Sequence, residues 1–332
     1  MKQVNGIHHV TAITSSAEKI YDFFTNILSM RLVKKTVNQD DIQTYHLFFA
    51  DDEGNAGTDM TFFDFNGAAQ AKKGTNEIAK TSFRVPDNRA LLYWKKRFEK
   101  YNVKHAEIKE LFGIQSLEFE DFDGQEYVLF SDENDQGVKP GIPWKNGPVP
   151  EVFGIRGLGP IFFRVDKMNL IDHVLIDYLN FKKTDEEALY TRYQSGIGGN
   201  GASVIVIEDK EHPQAIQGYG GVHHVAFRVN DKKDIYDWIQ HLNQIRAPHS
   251  GEVDRFYFTS LYTRLYPGLL FEFATEGPGF IDDEESYETL GEQLALPPKF
   301  RNKREQIENM VRHIDTKRSD KVFEKEFLGF EE

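Results

Sequence analysis

The chain has 332 residues, of which 39% are hydrophobic, so it is long enough for two domains that each bury a core. Its formal net charge of −13 disfavours nucleic acid and anionic membrane as main partners, because both reward a basic surface. The absence of cysteine excludes disulfides, thiolate metal sites and a cysteine nucleophile. No apolar run approaches the roughly 18–20 residues of a membrane span, and residues 1–10 lack a signal-peptide core, so we expect a cytoplasmic protein. The sequence leaves open whether it is a homo-oligomer.

One strand occurs four times along the chain. Each copy is a β-branched, apolar run of strand length, and the first and last copies carry a His-His dipeptide. The four copies are Gly6–Ser15 (GIHHVTAITS), Thr81–Asp87 (TSFRVPD), Ile161–Asp166 (IFFRVD) and Gly221–Asn230 (GVHHVAFRVN). A repeat that keeps its frame and varies its chemistry is typical of a scaffold that carries one site.

A helix and then about three strands follow each copy of this strand. Apolar residues first recur at three- and four-residue steps, which predicts the helices Ala17–Met30, Asn88–Tyr101, Met168–Asn180 and Lys232–Ile245. The period then shortens to two between turn signals, as strands require. The sequence therefore predicts an α+β protein built from four βαβββ modules.

The stretch Glu133–Gly157 is rich in proline and glycine, poor in periodicity, and separates the second module from the third. We therefore expect two domains of two modules each, at residues 1–140 and 153–290. Residues 291–332 fall outside the repeat and form a C-terminal tail, with a charged helix expected at Lys303–Ile314. We expect this tail to pack on the body or on a second subunit and to carry no chemistry.

Two histidines and one glutamate take matching positions in the repeat. In the shared register, His9 and His224 lie where the two middle copies have Lys80 and Pro160. Strand alternation directs both imidazoles to the concave side of the sheet. The last strand of each module opens after a glycine, and only in the fourth module is the residue four positions on, Glu272, a carboxylate. Burying a lone carboxylate in a sheet is costly unless a cation or another partner neutralises it.

These three residues predict a metal site. Two imidazoles and one carboxylate form the facial triad of non-haem Fe(II) oxygenases and also suit Mn(II), whereas Zn(II) with the same ligands would favour hydrolysis or isomerisation. His9 and His224 can share an ion only if the first and fourth modules are neighbours. A turn centred near Pro267 places Tyr262 opposite Glu272 on the same face.

Five segments together make the sequence similar to the vicinal oxygen chelate superfamily (glyoxalases, bleomycin resistance proteins and extradiol dioxygenases). They are residues 8–11 (HHVT), 45–51 (YHLFFAD), 57–61 (GTDMT), 223–227 (HHVAF) and 271–272 (FE) followed by 279–280 (GF). Within it the chain resembles the hydroquinone-cleaving ring dioxygenases over about residues 4–300. The resemblance implies two domains, each a cupped mixed β-sheet with helices outside. It also implies a mononuclear Fe(II) or Mn(II) cofactor and O2-dependent cleavage of a small aromatic diol.

The resemblance also implies roles for individual residues. The implied metal ligands are His9, His224 and Glu272, and the implied polar residues around them are His8, His223, Arg255 and Tyr262. We expect His223 or Tyr262 to accept the proton of the substrate hydroxyl, and Arg255 to stabilise developing negative charge. His46 is a weaker candidate for the pocket wall.

Two alternatives stay open at this point. The first is a glyoxalase-like lyase or isomerase that uses Zn or Ni and no O2. The second is a non-catalytic protein that sequesters an aromatic or antibiotic molecule. An insertion at Thr275–Gly279 departs from the family pattern and leaves the ring substituents and the choice between para- and ortho-diols open.

Overall fold

The computed structural model describes residues 3–281 and 284–331. The four predicted βαβββ modules are confirmed, and their first strands are β1, β5, β9 and β13. The strands are β1 (Ile7–Ile13), β2 (Arg31–Val37), β3 (Tyr45–Ala50), β4 (Asp59–Phe63), β5 (Glu77–Val85), β6 (Lys109–Leu111), β7 (Ile114–Glu120), β8 (Glu126–Ser131), β9 (Ile161–Val165), β10 (Lys182–Glu187), β11 (Tyr190–Gln194), β12 (Ser203–Glu208), β13 (Gly221–Val229), β14 (Val253–Asp254), β15 (Phe258–Tyr266) and β16 (Leu269–Pro278). The helices are α1 (Ala17–Asp22), α2 (Asn88–Lys100), α3 (Met168–Asp172), α4 (Lys232–Gln244) and α5 (Arg304–Met310).

The strands form two curled, mixed sheets of eight strands each, as predicted. The first has the order β14-β15-β16-β13-β1-β4-β3-β2 and joins modules one and four; the second has the order β10-β11-β12-β9-β5-β8-β7-β6 and joins modules two and three. The first strands pair antiparallel, β1 with β13 and β5 with β9, so the first and fourth modules are neighbours, as an ion shared by His9 and His224 requires. The division into two domains, at residues 1–140 and 153–290, stays a prediction.

The helices end close to where periodicity placed them. Asp87 and Asp231 cap α2 and α4 by accepting a hydrogen bond from the backbone N–H three residues on. The first and third helices are α-helical for fewer residues than predicted, because the chain continues as π turns at Phe23–Ile27 and His173–Tyr178. A left-handed residue follows the helical segment of each module, at Ser29, Asn102, Asn180 and Arg246, and turns the chain toward the sheet.

The main core lies between these helices and the convex faces of the sheets. Trp94 and Trp238 anchor it from α2 and α4, and Trp238 stacks on Phe273 with ring centroids 4.4 Å apart. The concave face of the second sheet is filled by an apolar cluster that includes Val128, Phe162 and Ile205. The concave face of the first sheet instead opens on a cavity.

The C-terminal tail packs against the outside of modules one and two. A 3-10 turn (Pro298–Lys303) leads into α5, which ends at Met310, short of the predicted Ile314, because Val311 is extended. Arg318 is buried, donates to Thr25 Oγ1 at 2.9 Å and lies over the Tyr21 ring. Among residues 3–281 and 284–331, no helix combines the length and apolar character that crossing a bilayer requires.

Candidate metal centre

The structure brings His9, His224 and Glu272 together inside the first sheet. Glu272 Oε2 lies 3.1 Å from His9 Nε2 and 2.9 Å from His224 Nε2, and the two imidazole nitrogens are 3.3 Å apart. All three side chains are buried, and Glu272 is 0% exposed. Three potential metal-ligand atoms from opposite ends of the chain thus converge on one point.

Strand register explains this convergence. β13 lies between β1 and β16; Ala226 on β13 is the partner of His9 on β1 and of Glu272 on β16. His224 precedes Ala226 by two residues, so it points to the same face one pleat away. The predicted register of the last hairpin is confirmed, because Tyr262 on β15 pairs with Glu272.

Hydrogen bonds to His8 fix the tautomer of His9. His8 Nε2 lies 3.0 Å from the carbonyl oxygen of Thr275, which can only accept, so the proton of neutral His8 is on Nε2. Burial and the neighbouring His9 lower the pKa of His8 to about 3, so its imidazole is neutral at pH 7. His8 Nδ1, 2.9 Å from His9 Nδ1, must then accept a proton from His9. In neutral His9 this leaves a bare lone pair on Nε2, aimed at Glu272.

His223 supports His224 in the same way. Their Nδ1 atoms are 2.8 Å apart, and burial lowers the pKa of both imidazoles. When His224 Nε2 serves as a ligand, its proton is on Nδ1 and is donated to His223 Nδ1. His223 then carries its own proton on Nε2, which has no hydrogen-bonding partner among the described residues.

Glu272 is held as a carboxylate. Burial alone would raise its pKa, but positive charge at His9 and His224, when no ion is bound, outweighs this and holds the pKa of Glu272 well below its usual value. A bound cation would supply the same positive charge. Ser260 Oγ donates to Glu272 Oε1 at 2.5 Å and orients the carboxylate. Glu272 Oε2 accepts no well-aligned hydrogen bond from the described residues and faces the two imidazole nitrogens.

The three ligand atoms fit a divalent metal ion. Neighbouring ligands of an octahedral ion bound at about 2.1 Å are about 3 Å apart. The three observed separations of 2.9, 3.1 and 3.3 Å surround that value. Converging lone pairs without a proton between them are stabilised by a cation, so the donor set, its burial and its spacing all suit a metal.

A cavity of about 380 Å³ opens on His9 and His224. Its walls are mostly aromatic and its mouth is polar. The aromatic walls are Phe48, Phe63, Phe65, Tyr257 and Phe258. The polar mouth is formed by Asn38, Gln39, Asp40, Asp41 and Arg255. A flat apolar ring can therefore lie between these walls next to the ligand atoms.

The other predicted site residues lie around the same cavity. Tyr262, His223, Arg255 and His46 line it, whereas His8 is buried behind His9. Arg255 Nε donates to Tyr262 Oη at 3.2 Å, so the Tyr262 hydroxyl proton is free to point elsewhere. Burial and Glu272 raise the pKa of Tyr262, which keeps the phenol protonated. Their roles in the reaction stay predictions.

Sequence reasoning missed two contributors to the site. Ser260 lies two residues before Tyr262 on β15, so strand alternation could have placed it beside Glu272. The mouth residues Gln39 and Asp40 lie in the loop between β2 and β3. They reach Arg255 from 215 residues away, and no periodic signal in the sequence links the two segments.

Comparisons with known proteins identify the family of the chain. The family model described as Glyoxalase/Bleomycin resistance protein/Dioxygenase superfamily matches residues 6–129. "Putative ring-cleaving dioxygenase MhqA" of Bacillus subtilis (strain 168) is 41% identical over 94% of this chain and 99% of its own. Chlorohydroquinone/hydroquinone 1,2-dioxygenase of Sphingobium indicum is 30% identical over 92% of this chain and 95% of its own.

Solved structures give the same result for the fold. The crystal structure of a "putative dioxygenase" from Bacillus subtilis subsp. subtilis str. 168 has a TM-score of 0.87 and 33% identity, over 96% of this chain and 99% of its own. Glyoxalase I from Zea mays has a TM-score of 0.60 at 12% identity, covers 82% of this chain and 92% of its own, and supports the fold alone.

The chain belongs to the glyoxalase/bleomycin resistance/dioxygenase superfamily, as predicted. Within that superfamily it belongs to the ring-cleaving dioxygenases and is therefore an enzyme of the oxidoreductase class.

Proposed function

We propose that this enzyme cleaves the ring of a hydroquinone or catechol in an O2-dependent, extradiol-type reaction at a mononuclear Fe(II) or Mn(II) centre. The convergence of three lone-pair atoms at the floor of an aromatic-walled cavity carries the proposal. The similarity to a hydroquinone dioxygenase over most of the chain supports it. We infer that its partners are the diol and O2, and that it works in the cytoplasm.

His9, His224 and Glu272 would hold the ion. When bound, Fe(II) or Mn(II) supplies the redox chemistry that O2 needs to react with an aromatic ring. The hydrogen bonds from Ser260 and to His8 keep the ligand side chains in place, so little reorganisation accompanies binding.

The residues around the cavity orient the ring and stabilise its charge. Phe48, Phe63 and Phe258 exclude water and hold the ring plane. The protons on His223 Nε2 and Tyr262 Oη are available to a substrate oxygen. These two residues are therefore better placed to donate hydrogen bonds to the substrate than to act as the base expected from the sequence. Two donors lower the free energy of the oxyanion that forms when the hydroxyl proton leaves. Arg255, bound to Tyr262, adds positive charge on the same side.

O2 uptake with hydroquinone and with catechol, after loading with Fe(II) or Mn(II) under anaerobic conditions, tests the proposal. We expect ring-opened product in equal amount to the O2 consumed, and loss of both in His224→Ala. The matched control is His173→Ala, because His173 is exposed on the outer helix of the third module. Turnover without O2, stoichiometric binding without turnover, or full activity of His224→Ala would each contradict the proposal.

A further inference from the structure

Two modules meet across the mouth of the cavity. The loop between β2 and β3 brings Gln39 and Asp40 from the first module, and the segment before β15 brings Arg255 from the fourth. Gln39 Nε2 donates to the backbone oxygen of Arg255 at 2.7 Å. Arg255 Nη2 donates to Asp40 Oδ2 at 3.0 Å. These contacts connect two segments that are otherwise far apart in the chain.

Arg255 has one partner inside the cavity and one outside it. Its Nε faces Tyr262 at 3.2 Å and its Nη2 faces Asp40, whose side chain is 74% exposed, whereas that of Arg255 is 21% exposed. Arg255 therefore lies between the inner cavity and solvent, and Asp40 lies on its solvent side.

The charge at the mouth is unusual for a site that handles a small anion. Among the described residues that line the cavity, Arg255 is the single lysine or arginine, and two carboxylates, Asp40 and Asp41, accompany it. A site that binds a carboxylate normally offers an arginine whose fork is free for two parallel hydrogen bonds. Here one edge of that fork is already occupied by Asp40.

We propose that Asp40 determines specificity for the charge of the substrate: by offsetting part of the positive charge of Arg255 at the mouth, it selects uncharged diols over diols with a ring carboxylate. The inference rests on the proposed function and narrows its substrate class. Asp41 contributes less, because its carboxylate accepts from Thr44 Oγ1 at 2.8 Å and from the backbone of Gln43 rather than from Arg255.

The test compares kcat/KM for hydroquinone with that for 2,5-dihydroxybenzoate, which is hydroquinone with one carboxylate. Asp40→Asn removes the charge and keeps the shape. We expect the ratio to move toward 2,5-dihydroxybenzoate by about threefold to tenfold, which is the size of the interaction between two partly solvated charges. The change should be in KM for 2,5-dihydroxybenzoate and should shrink at high salt.

Three further variants make the result specific. Asp40→Glu keeps the charge and should restore the wild-type ratio. Glu252→Gln removes an equal charge from an exposed position that pairs with Lys232, and should leave the ratio unchanged. Asp41→Asn should move the ratio less than Asp40→Asn. An unchanged ratio in Asp40→Asn, or an equal change in Asp41→Asn, overturns the inference.

The experiments distinguish a failure of the proposed function from a failure of the role of Asp40. If the wild-type enzyme consumes O2 with neither hydroquinone nor catechol, the proposed function is wrong. If it turns over hydroquinone and Asp40→Asn keeps the wild-type ratio, only the role of Asp40 is wrong. Thermal midpoints of all four variants, measured beside the assays, identify any loss that comes from unfolding.

Discussion

Replacing Glu272 by glutamine should abolish the rise in Tm that metal binding produces. In the wild type, Glu272 Oε2 lies 2.9 and 3.1 Å from two imidazole nitrogens, so an ion added there neutralises three converging lone pairs. At a free metal concentration about 100 times Kd, binding to the folded state alone adds about 2.7 kcal/mol. Unfolding 332 residues changes the entropy by about 0.7 kcal/mol/K, so Tm should rise by about 4 °C.

Glu272→Gln removes a ligand and a buried charge together. Loss of a residue that only supports a ligand weakens metal binding by about 10–100-fold, and loss of the ligand itself by more. At the same metal concentration the remaining stabilisation is then at most about 0.4 kcal/mol, or about 0.6 °C. The metal-free variant should unfold below the metal-free wild type, because the lowered pKa of Glu272 means that the folded protein favours the carboxylate over a neutral side chain at this position.

Differential scanning calorimetry of chelator-treated protein measures both effects, with Mn(II) in air and Fe(II) under anaerobic conditions. Glu276→Gln is the matched control, since Glu276 is four residues along the same strand, half exposed, and bound to Arg228. It should keep the full metal-dependent shift. A full metal-dependent shift in Glu272→Gln, or a metal-free Glu272→Gln that melts above the metal-free wild type, would refute the reasoning.

Three other substitutions have expected outcomes. His8→Ala should weaken metal binding by about 10–100-fold in a competition assay with a coloured chelator, because the adjacent ligand loses the acceptor that fixes its tautomer; unchanged affinity would contradict this role. Ser260→Ala should weaken it by about tenfold, since Glu272 loses its 2.5 Å hydrogen bond; an effect on kcat alone would argue against that account. Arg318→Ala should lower the free energy of unfolding by about 2–4 kcal/mol in urea titrations, because a buried guanidinium and its contacts are lost. Lys317→Ala, an exposed neighbour, should change it by less than about 0.5 kcal/mol, and equal losses in the two would contradict a specific role of the tail.

The sequence was informative where the repeat imposed a register. His9, His224 and Glu272 stand out because the same positions in other modules are occupied by Lys80, Pro160 or, at the position of Glu272, uncharged residues. The strand period of two then determined their common face, and the structure places their ligand atoms within 3.3 Å of each other. A pattern repeated four times supplies its own internal comparison.

The sequence was less informative where contacts are long-range and aperiodic. The pairing of Asp40 with Arg255 depends on how two loops meet after the sheet has curled. Secondary-structure propensity carries no information about such a contact. From the sequence, Arg318 is indistinguishable from the other charged residues of the polar tail, yet it is buried against Tyr21 and Trp144. The π turns after α1 and α3 keep a helical pattern of apolar residues, so periodicity alone does not distinguish them.

The order of the modules along the chain has a consequence for biosynthesis. The second sheet is built from a continuous middle stretch, residues 77–208, and can close before translation ends. His9 leaves the ribosome early, whereas His224 and Glu272 emerge more than 200 residues later. Until then β1 has β4 as a neighbour and lacks β13, so one of its edges stays unpaired on the nascent polypeptide. A metal ion held by His9, His224 and Glu272 would therefore bind only after β13 and β16 have joined β1 in the first sheet.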